Sequence, residues 1–423
     1  MAQELNLLDA EDLRAQECRA RPGIIHHTEG LIVAADAVTP ATPNKEIFAI
    51  FEAKPHMSGL PVVEGGHPIG LINRNIFMQS MARPFHREVY LSKSCIAFMD
   101  KQPLIVDKTT SIQDLAFKVL EGGQKAMNDG FIIADDDRYL GIGTAQDMLR
   151  AVANLQAEKN RLVMESIDYA SVIQQSLSRP SREAMRRTLA DHFLIWEPRD
   201  IVSGDFYYFH EYDDGFLVVL FDCTGHGVPG AFMTLIMSAF LQSALNAVSH
   251  DDPSGLIGAV NRQVKTAMGH IEHQHAAPQD EDEGADDGMD AAFIWVDTQK
   301  RTLTYAGAHL PILLLRPDSG DVEVIEGDRL GVGYAATPMD QVWQNHQIDL
   351  PQGTSVYCFT DGCVDQLGGE KRIAFGKRRT REVILKHRSK TLPEQRAELL
   401  AALQRYQGEE QRKDDVSAIG FRI

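Results

Sequence analysis

The strongest constraint on the fold is a set of apolar segments, all in the second half of the chain, that meet carboxylates at their ends. Asp205 precedes Phe206–His210, and Asp222 follows Phe216–Phe221. Ser355–Phe359 runs into Thr360-Asp361-Gly362, and Asp414-Asp415 leads into Ala418–Ile423. Aromatic and β-branched residues in short runs read as strands, and Asp213-Asp214-Gly215 makes the first two a hairpin. Pairing in that hairpin brings Asp205 and Asp222 to one sheet edge. Ala291–Val296, Thr302–Tyr305 and Ile312–Arg316 add further strands, and an apolar helix is expected over Gly230–Val248. The Met and Leu face of that helix reads as core.

Each Asp-Gly step alone reads as a turn. Together they form an oxygen donor set with no matching His or Cys set for zinc. All-oxygen ligation completed by water suits Mg²⁺ or Mn²⁺. Two such ions about 3.5–4 Å apart can support in-line attack on phosphorus.

The first half is organised differently. Thr42-Pro43-Asn44 opens a helical pattern through Ile47, Phe48, Ile50 and Phe51, followed by a strand at Gly59–Val63, a Gly65-Gly66 turn and a strand at Pro68–Ile72. Thr109-Thr110-Ser111 opens a second copy with Leu115, Ala116, Val119 and Leu120, a strand at Gly130–Ile133, an Asp135–Asp137 turn and Tyr139–Gly143. Each copy closes in a helix, Asn75–Met81 or Ala145–Val152, and Gly70 and Gly141 occupy equivalent places. An internal repeat of this kind is one architecture, in which each half-exposed sheet packs on the other. Residues 150–178 then hold no Gly or Pro, and apolar residues from Leu155 to Leu177 recur at helical or heptad spacing until Arg179-Pro180. This reads as a linker helix, either packed on its own domain or forming a dimer seam.

At 423 residues the chain exceeds one typical core. Its net charge of −18 disfavours nucleic acid as a partner. The basic cluster Lys371, Arg372, Lys377, Arg378 and Arg379 suits an acidic or phosphorylated protein, or is a solvated face. No run of ~18 apolar residues predicts a membrane span. The acidic N-terminus does not read as a secretory signal. The five cysteines (Cys18, Cys95, Cys223, Cys358, Cys363) form no C-x-x-C pair, which fits a reducing cytoplasm. His270–Met289 is acidic, carries His270, His273 and His275, and reads as a mobile insertion rather than a metal site.

Two resemblances follow. The paired segments resemble a tandem pair of cystathionine-beta-synthase (CBS) motifs over residues 36–153. That resemblance implies an adenine nucleotide contacted by Thr144 and Asp147. The first repeat, with Asn73-Arg74-Asn75-Ile76, lacks the corresponding Asp, so one site is implied rather than two. On the residues alone, Thr144 reads equally well as a helix cap, with Asp147 at the positive helix end.

VSGDFYYF, DCTGHGVPGAFM, FTDGCVDQ and DDVSAIGF resemble, in order and spacing, the motifs of PPM-type metal-dependent protein phosphatases of the SpoIIE-like branch, over about residues 165–423. The resemblance implies a sandwich of two antiparallel sheets flanked by helices. It also implies metal ligation by Asp205, Asp222, Asp361, Asp414 and the backbone carbonyl of Cys223. Asp222 would bridge two Mn²⁺ or Mg²⁺ ions, and Asp415 would orient ligands from behind. His226 is a candidate general acid or a turn residue, and Arg199 a candidate phosphate clamp or a surface residue. Asp287–Asp290 and Gly368–Lys371 resemble a subset of the branch, the latter in a flap-like region. Asp290 either approaches the site or serves strand entry.

The expected architecture is therefore α+β. It comprises a lead-in (1–35), a CBS-pair-like α/β module (36–153), a linker helix (154–180) and a PPM-type αββα sandwich (181–423). The expected function is hydrolysis of phosphoserine or phosphothreonine on an anti-sigma-factor antagonist-like protein, regulated by the N-terminal module in a cytoplasmic homodimer. The competing expectation is a catalytically inactive, nucleotide-sensing scaffold.

Overall fold

The computed structural model describes residues 24–275 and 286–423, with side chains outside 268–275. The side chains of His270, His273 and His275, most of the acidic loop that follows them, and lead-in residues 1–23 lie outside the described residues. The chain forms two compact units that divide between Val163 and Met164.

In the first unit, α1 (Asn44–Ala53) precedes the hairpin β1 (Gly59–Glu64) and β2 (His67–Asn73), which leads into α2 (Arg74–Met81). The second copy consists of β3 (Ile105–Asp107), α3 (Ile112–Glu121), β4 (Phe131–Asp135) and β5 (Arg138–Gly143). Both copies pair their two main strands antiparallel, and β3 adds to the second copy in parallel. The hairpin turns need left-handed backbone, supplied by Gly65 and Gly66 in one and by Asp136 and Asp137 in the other. Each copy keeps its own core, around Phe51, Ile72 and Phe77 or around Leu115, Phe131 and Ile133.

The helix α4 runs over 44 residues, Ala145–Thr188, starting in the first unit and ending in the second. The expected stop at Arg179-Pro180 does not occur, and Pro180 lies inside the helix. An interior proline costs roughly 3 kcal/mol. Here tertiary contacts offset it, since Ser178, Ser181, Met185 and Leu189 are buried and the Phe209 amide donates to Ser181 Oγ at 3.1 Å.

The second unit stacks two five-stranded antiparallel sheets. One is formed by β7 (Asp205–Glu211), β8 (Gly215–Cys223), β9 (Met289–Asp297), β10 (Thr302–Ala308) and β13 (His346–Asp349), in the order β13-β10-β9-β8-β7. The other has the order β12-β11-β14-β17-β6, from β6 (His192–Glu197), β11 (Ile312–Leu315), β12 (Glu323–Ile325), β14 (Ser355–Phe359) and β17 (Val416–Arg422). Their facing sides bury Tyr207, Phe216, Val218, Ile294, Val356 and Phe421. The helices α5 (Gly227–Leu245) and α6 (Pro253–His275) cover one outer face through Met237, Leu241 and Val260. The helices α7 (Gly376–Lys386) and α8 (Leu392–Gln407) cover the other through Ile384, Leu399 and Leu403. This is the expected four-layer arrangement. A short hairpin, β15 (Leu367–Gly368) with β16 (Ile373–Ala374), precedes α7. α5 is long and apolar enough to cross a membrane by composition, yet here it packs Met233, Met237, Leu241 and Ala244 into the core.

Candidate active site

Strand register creates the site. Asp205 pairs directly with Asp222 across β7 and β8, and Asp222 pairs directly with Asp290 across β8 and β9. Directly opposed residues in an antiparallel sheet project to the same face. Three carboxylates therefore stand side by side at one end of the sheet. The second sheet contributes at its neighbouring end, with Asp361 just after β14 and Asp414-Asp415 just before β17. The sequence motifs anticipated Asp205, Asp222, Asp361 and Asp414; the register brings Asp290 into the same row.

Buried hydrogen bonds hold this end in place. Asp415 is 3% exposed and accepts the amides of Arg199 and Gly204, both at 2.6 Å. It thus ties the loop before Asp205 to the start of β17. Thr360 donates its hydroxyl to Asp205 Oδ2 at 2.8 Å and accepts the Ser417 amide at 3.0 Å. Gly362 leaves no room for a side chain, because a β-carbon there would strike the Asp415 carbonyl. Gln174 of α4 is buried, donates to the Ser203 carbonyl at 2.7 Å and to Thr234 Oγ1 at 3.0 Å, and accepts the Ser203 amide at 3.1 Å. Neither Gln174 nor Thr360 stands out in the sequence. A glutamine within a helical repeat and a threonine before Asp-Gly carry no signal until the fold buries them.

The electrostatics are unfavourable without a cation. Burial pushes the Asp205 carboxyl well above the ordinary carboxylate range. Burial, then the charges of Asp205, Asp361 and Asp414, does the same to Asp222. Asp361 is pushed up to about 6 by desolvation and then by Asp414. Among the described residues, no group of three or more His, Cys, Asp or Glu side chains is drawn together closely enough to hold a metal ion by itself. An open arrangement fits Mg²⁺ or Mn²⁺, which retain several waters and take few protein oxygens. The cluster could thus hold such ions, with waters and main-chain carbonyls filling the remaining positions.

The other candidate residues are engaged in different ways. His226 Nδ1 lies 3.0 Å from Asp200 Oδ2 on the surface. The Arg199 guanidinium donates to the Lys413 carbonyl at 3.0 Å, which anchors it beside the Asp414 loop. Asp290 Oδ1 accepts from His309 Nδ1 at 2.8 Å and from the Tyr334 hydroxyl at 3.3 Å. His309 Nε2 lies 2.7 Å from the Arg329 carbonyl. With an acceptor at each ring nitrogen, His309 is best satisfied as an imidazolium. Burial would lower its pKa, but the bonds to Asp290 and the Arg329 carbonyl outweigh that and leave it raised. In the first unit, Thr144 Oγ1 donates to Asp147 Oδ2 at 2.7 Å and accepts the Asp147 amide at 3.1 Å. The pair caps α4. Asp147 and Arg150 also line a cavity of about 260 Å³ with Leu31 and Ile32.

Comparisons with known proteins place both units. The Stage II sporulation protein E (SpoIIE) family model matches residues 212–423, and the CBS domain model matches residues 94–154, which span the second repeat. The SiaA PP2C domain of Pseudomonas aeruginosa is 36% identical, with a TM-score of 0.54, covering 63% of this chain and 99% of that one. The PP2C phosphatase domain of SpoIIE from Bacillus subtilis, with part of its regulatory domain, is 18% identical with a TM-score of 0.43, covering 55% of this chain and 63% of that one. RsbX in complex with magnesium is 17% identical with a TM-score of 0.36, covering 55% of this chain and 94% of that one. No match was found among curated proteins. With the four-layer sandwich, the carboxylate row and the family match in agreement, this chain belongs to the SpoIIE family of PP2C-type protein serine/threonine phosphatases and carries an N-terminal CBS domain.

Proposed function

We propose that the second unit hydrolyses phosphoserine or phosphothreonine on a bacterial regulatory protein of the anti-sigma-factor antagonist type, using two Mn²⁺ or Mg²⁺ ions. The observation that carries this reading is the row Asp205, Asp222 and Asp290, set in register and bordered by Asp361 and Asp414. Asp205, Asp222, Asp361, Asp414 and the Cys223 carbonyl are the proposed ligands, with Asp222 central to both ions. When bound, the ions supply nucleophile activation and charge neutralisation for in-line transfer to water. The protein's own part is orientation. Asp415 and Thr360 fix the Asp205 loop, and Arg199 is anchored within reach of the Asp414 segment.

Control by the N-terminal module is proposed to run along α4. Gln174 grips Ser203, two residues before Asp205, so a shift or rotation of α4 would move a ligand-bearing loop. Val163, Met164, Tyr169, Val172 and Leu177 of α4 are exposed apolar residues and fit a homodimer seam. The Asp147-lined cavity is the proposed adenine-nucleotide site. The reaction is tested by manganese-dependent phosphate release from a phosphoserine protein, comparing wild type with Asp222→Asn and Asp361→Asn. Metal-dependent turnover lost in both variants is expected. Turnover that persists in both would refute the assigned ligand set.

A further inference from the structure

A cavity of about 260 Å³ opens from the carboxylate cluster, and its lining differs from the cluster itself. Asp290, Thr360 and Asp361 border it where the chemistry is placed. Leu310, Leu313, Val324 and Phe359 give it apolar walls, and Lys377 and Arg381 of α7 close it with positive charge. These two cations differ from the arginines between them. Arg378 pairs with Glu382, while Arg379 stacks on Tyr406 and donates to the Phe375 carbonyl. Lys377 and Arg381, one turn apart on the cavity side, have no acidic partner among the described residues. In a chain of net charge −18, unpaired cations beside an apolar pocket are an arrangement that stability alone does not require.

We propose that this cleft seats the substrate segment flanking the phosphoserine and selects an apolar side chain together with an acidic one. The apolar side chain fills the Leu313–Val324–Phe359 walls, and the acidic one meets Lys377 and Arg381. Glu326 and Asp365 also border the cleft, and Asp365 is taken by Lys413 at 3.4 Å. The substrate's acid therefore belongs on the α7 side, away from Glu326. This rests on the phosphatase reading above and adds the sequence preference of the substrate. In this arrangement Lys377 and Arg381 act on the flank and not on the phosphoryl group.

The test uses the full chain with Mn²⁺ and a matched set of phosphoserine peptides. Flanking positions carry Glu or Lys, combined with Leu or Ala, and kcat/KM is read from phosphate release. The wild type is expected to favour Glu over Lys by about tenfold, the scale of two screened charge pairs. It should favour Leu over Ala by a similar factor, from partial burial of the side chain. The double variant Lys377→Glu, Arg381→Glu should invert the charge preference and keep the Leu preference. Equal kcat/KM for Glu and Lys peptides in the wild type would overturn the proposal. So would a double variant that melts like the wild type yet loses all peptides alike, since that assigns the cations to the phosphate. Wild-type hydrolysis of 4-nitrophenyl phosphate separates the two levels. Turnover there without peptide preference overturns the cleft alone, whereas no metal-dependent turnover on any substrate overturns the phosphatase reading.

Discussion

Two sets of aspartates, one in each unit, are held in opposite ways. In the first, acidic side chains at helix and turn positions find local partners. Asp147 and Thr144 satisfy each other at the start of α4, Asp114 bonds Ser111 at the start of α3, and Asp107 accepts from the Thr109 amide and hydroxyl. In the second, Asp205, Asp222 and Asp290 stand in one row, and burial, then the neighbouring carboxylates, raises the pKa of Asp222. Carboxylates that close their own hydrogen bonds serve the fold. Carboxylates aligned against one another by register leave a deficit of positive charge that a ligand must supply.

The largest effect that sharpens this contrast is at Asp222. Turnover by Asp222→Asn should fall by more than about 100-fold, since even groups that only orient a metal's ligands cost ~10–100-fold. Stability should move the other way. Without metal, removing a charge that opposes two neighbours should stabilise the unit by roughly 1 kcal/mol, raising its melting temperature by about 2–4 °C. Added Mn²⁺ should raise the wild-type melting temperature far more than that of the variant. A metal-free variant that melts below the wild type would break the contrast, because the row would then be a structural network like that at Thr144.

The next effect separates positioning from ligation. Gln174→Leu keeps the volume but strands the amide and carbonyl of Ser203, while the Thr234 hydroxyl keeps its bond to the Ala231 carbonyl. Unpaired buried polar groups cost about 1–3 kcal/mol each, so a loss on the order of 3 kcal/mol is expected in chemical denaturation. Turnover at saturating metal should also drop, with a raised metal requirement, because the Asp205 loop loses its tether. Lower stability with an unchanged metal requirement would make Gln174 a packing residue only.

A smaller effect is expected at Thr144→Ala. Loss of an N-cap costs about 1 kcal/mol, read as a lower denaturation midpoint for the first unit, with phosphoserine turnover of the unliganded protein unaltered. If adenine nucleotide stabilises the wild type but not Asp147→Asn, the cap pair also serves a ligand, and the sharp division between the two units softens.

What the sequence disclosed follows the same division. The strand ends with Asp205, Asp222, Asp361 and Asp414 were legible because apolar runs broken by Asp and Gly are local patterns. The repeat was legible because both copies run through helix, strand, turn, strand and helix in the same order, with Gly70 and Gly141 in equivalent places. What was hidden depends on long-range pairing. Asp290 was a candidate whose place, at the site or at strand entry, only the β8–β9 register decides; Gln174 meets Ser203 across 29 residues, and Thr360 meets Asp205 across 155. The continuation of α4 through Pro180 was hidden for the same reason, because a local helix-stop rule cannot weigh the Ser181–Phe209 bond that holds the turn in place.

The smallest predicted effect probes His309, a cation that the second unit places against its carboxylate row. His309 sits in left-handed backbone at φ 63° with Asp290 and the Arg329 carbonyl on its two ring nitrogens. Its pKa in the folded chain is raised from 6.5, so the folded state binds the proton more tightly than the unfolded state. The resulting stabilisation is fully present below the unfolded pKa of about 6.5 and is lost as pH rises through the folded value. The side chain is 40% exposed, so solvent screening limits the contribution to roughly 0.2–1 kcal/mol. Comparing wild type with His309→Gln by thermal melting from pH 5.5 to 8.5 should show a gap that is widest at the acidic end and shrinks towards the alkaline end. A gap that widens with pH would mean that neutral His309 is the form the fold prefers, and that His309 brings no positive charge to the row Asp205, Asp222 and Asp290.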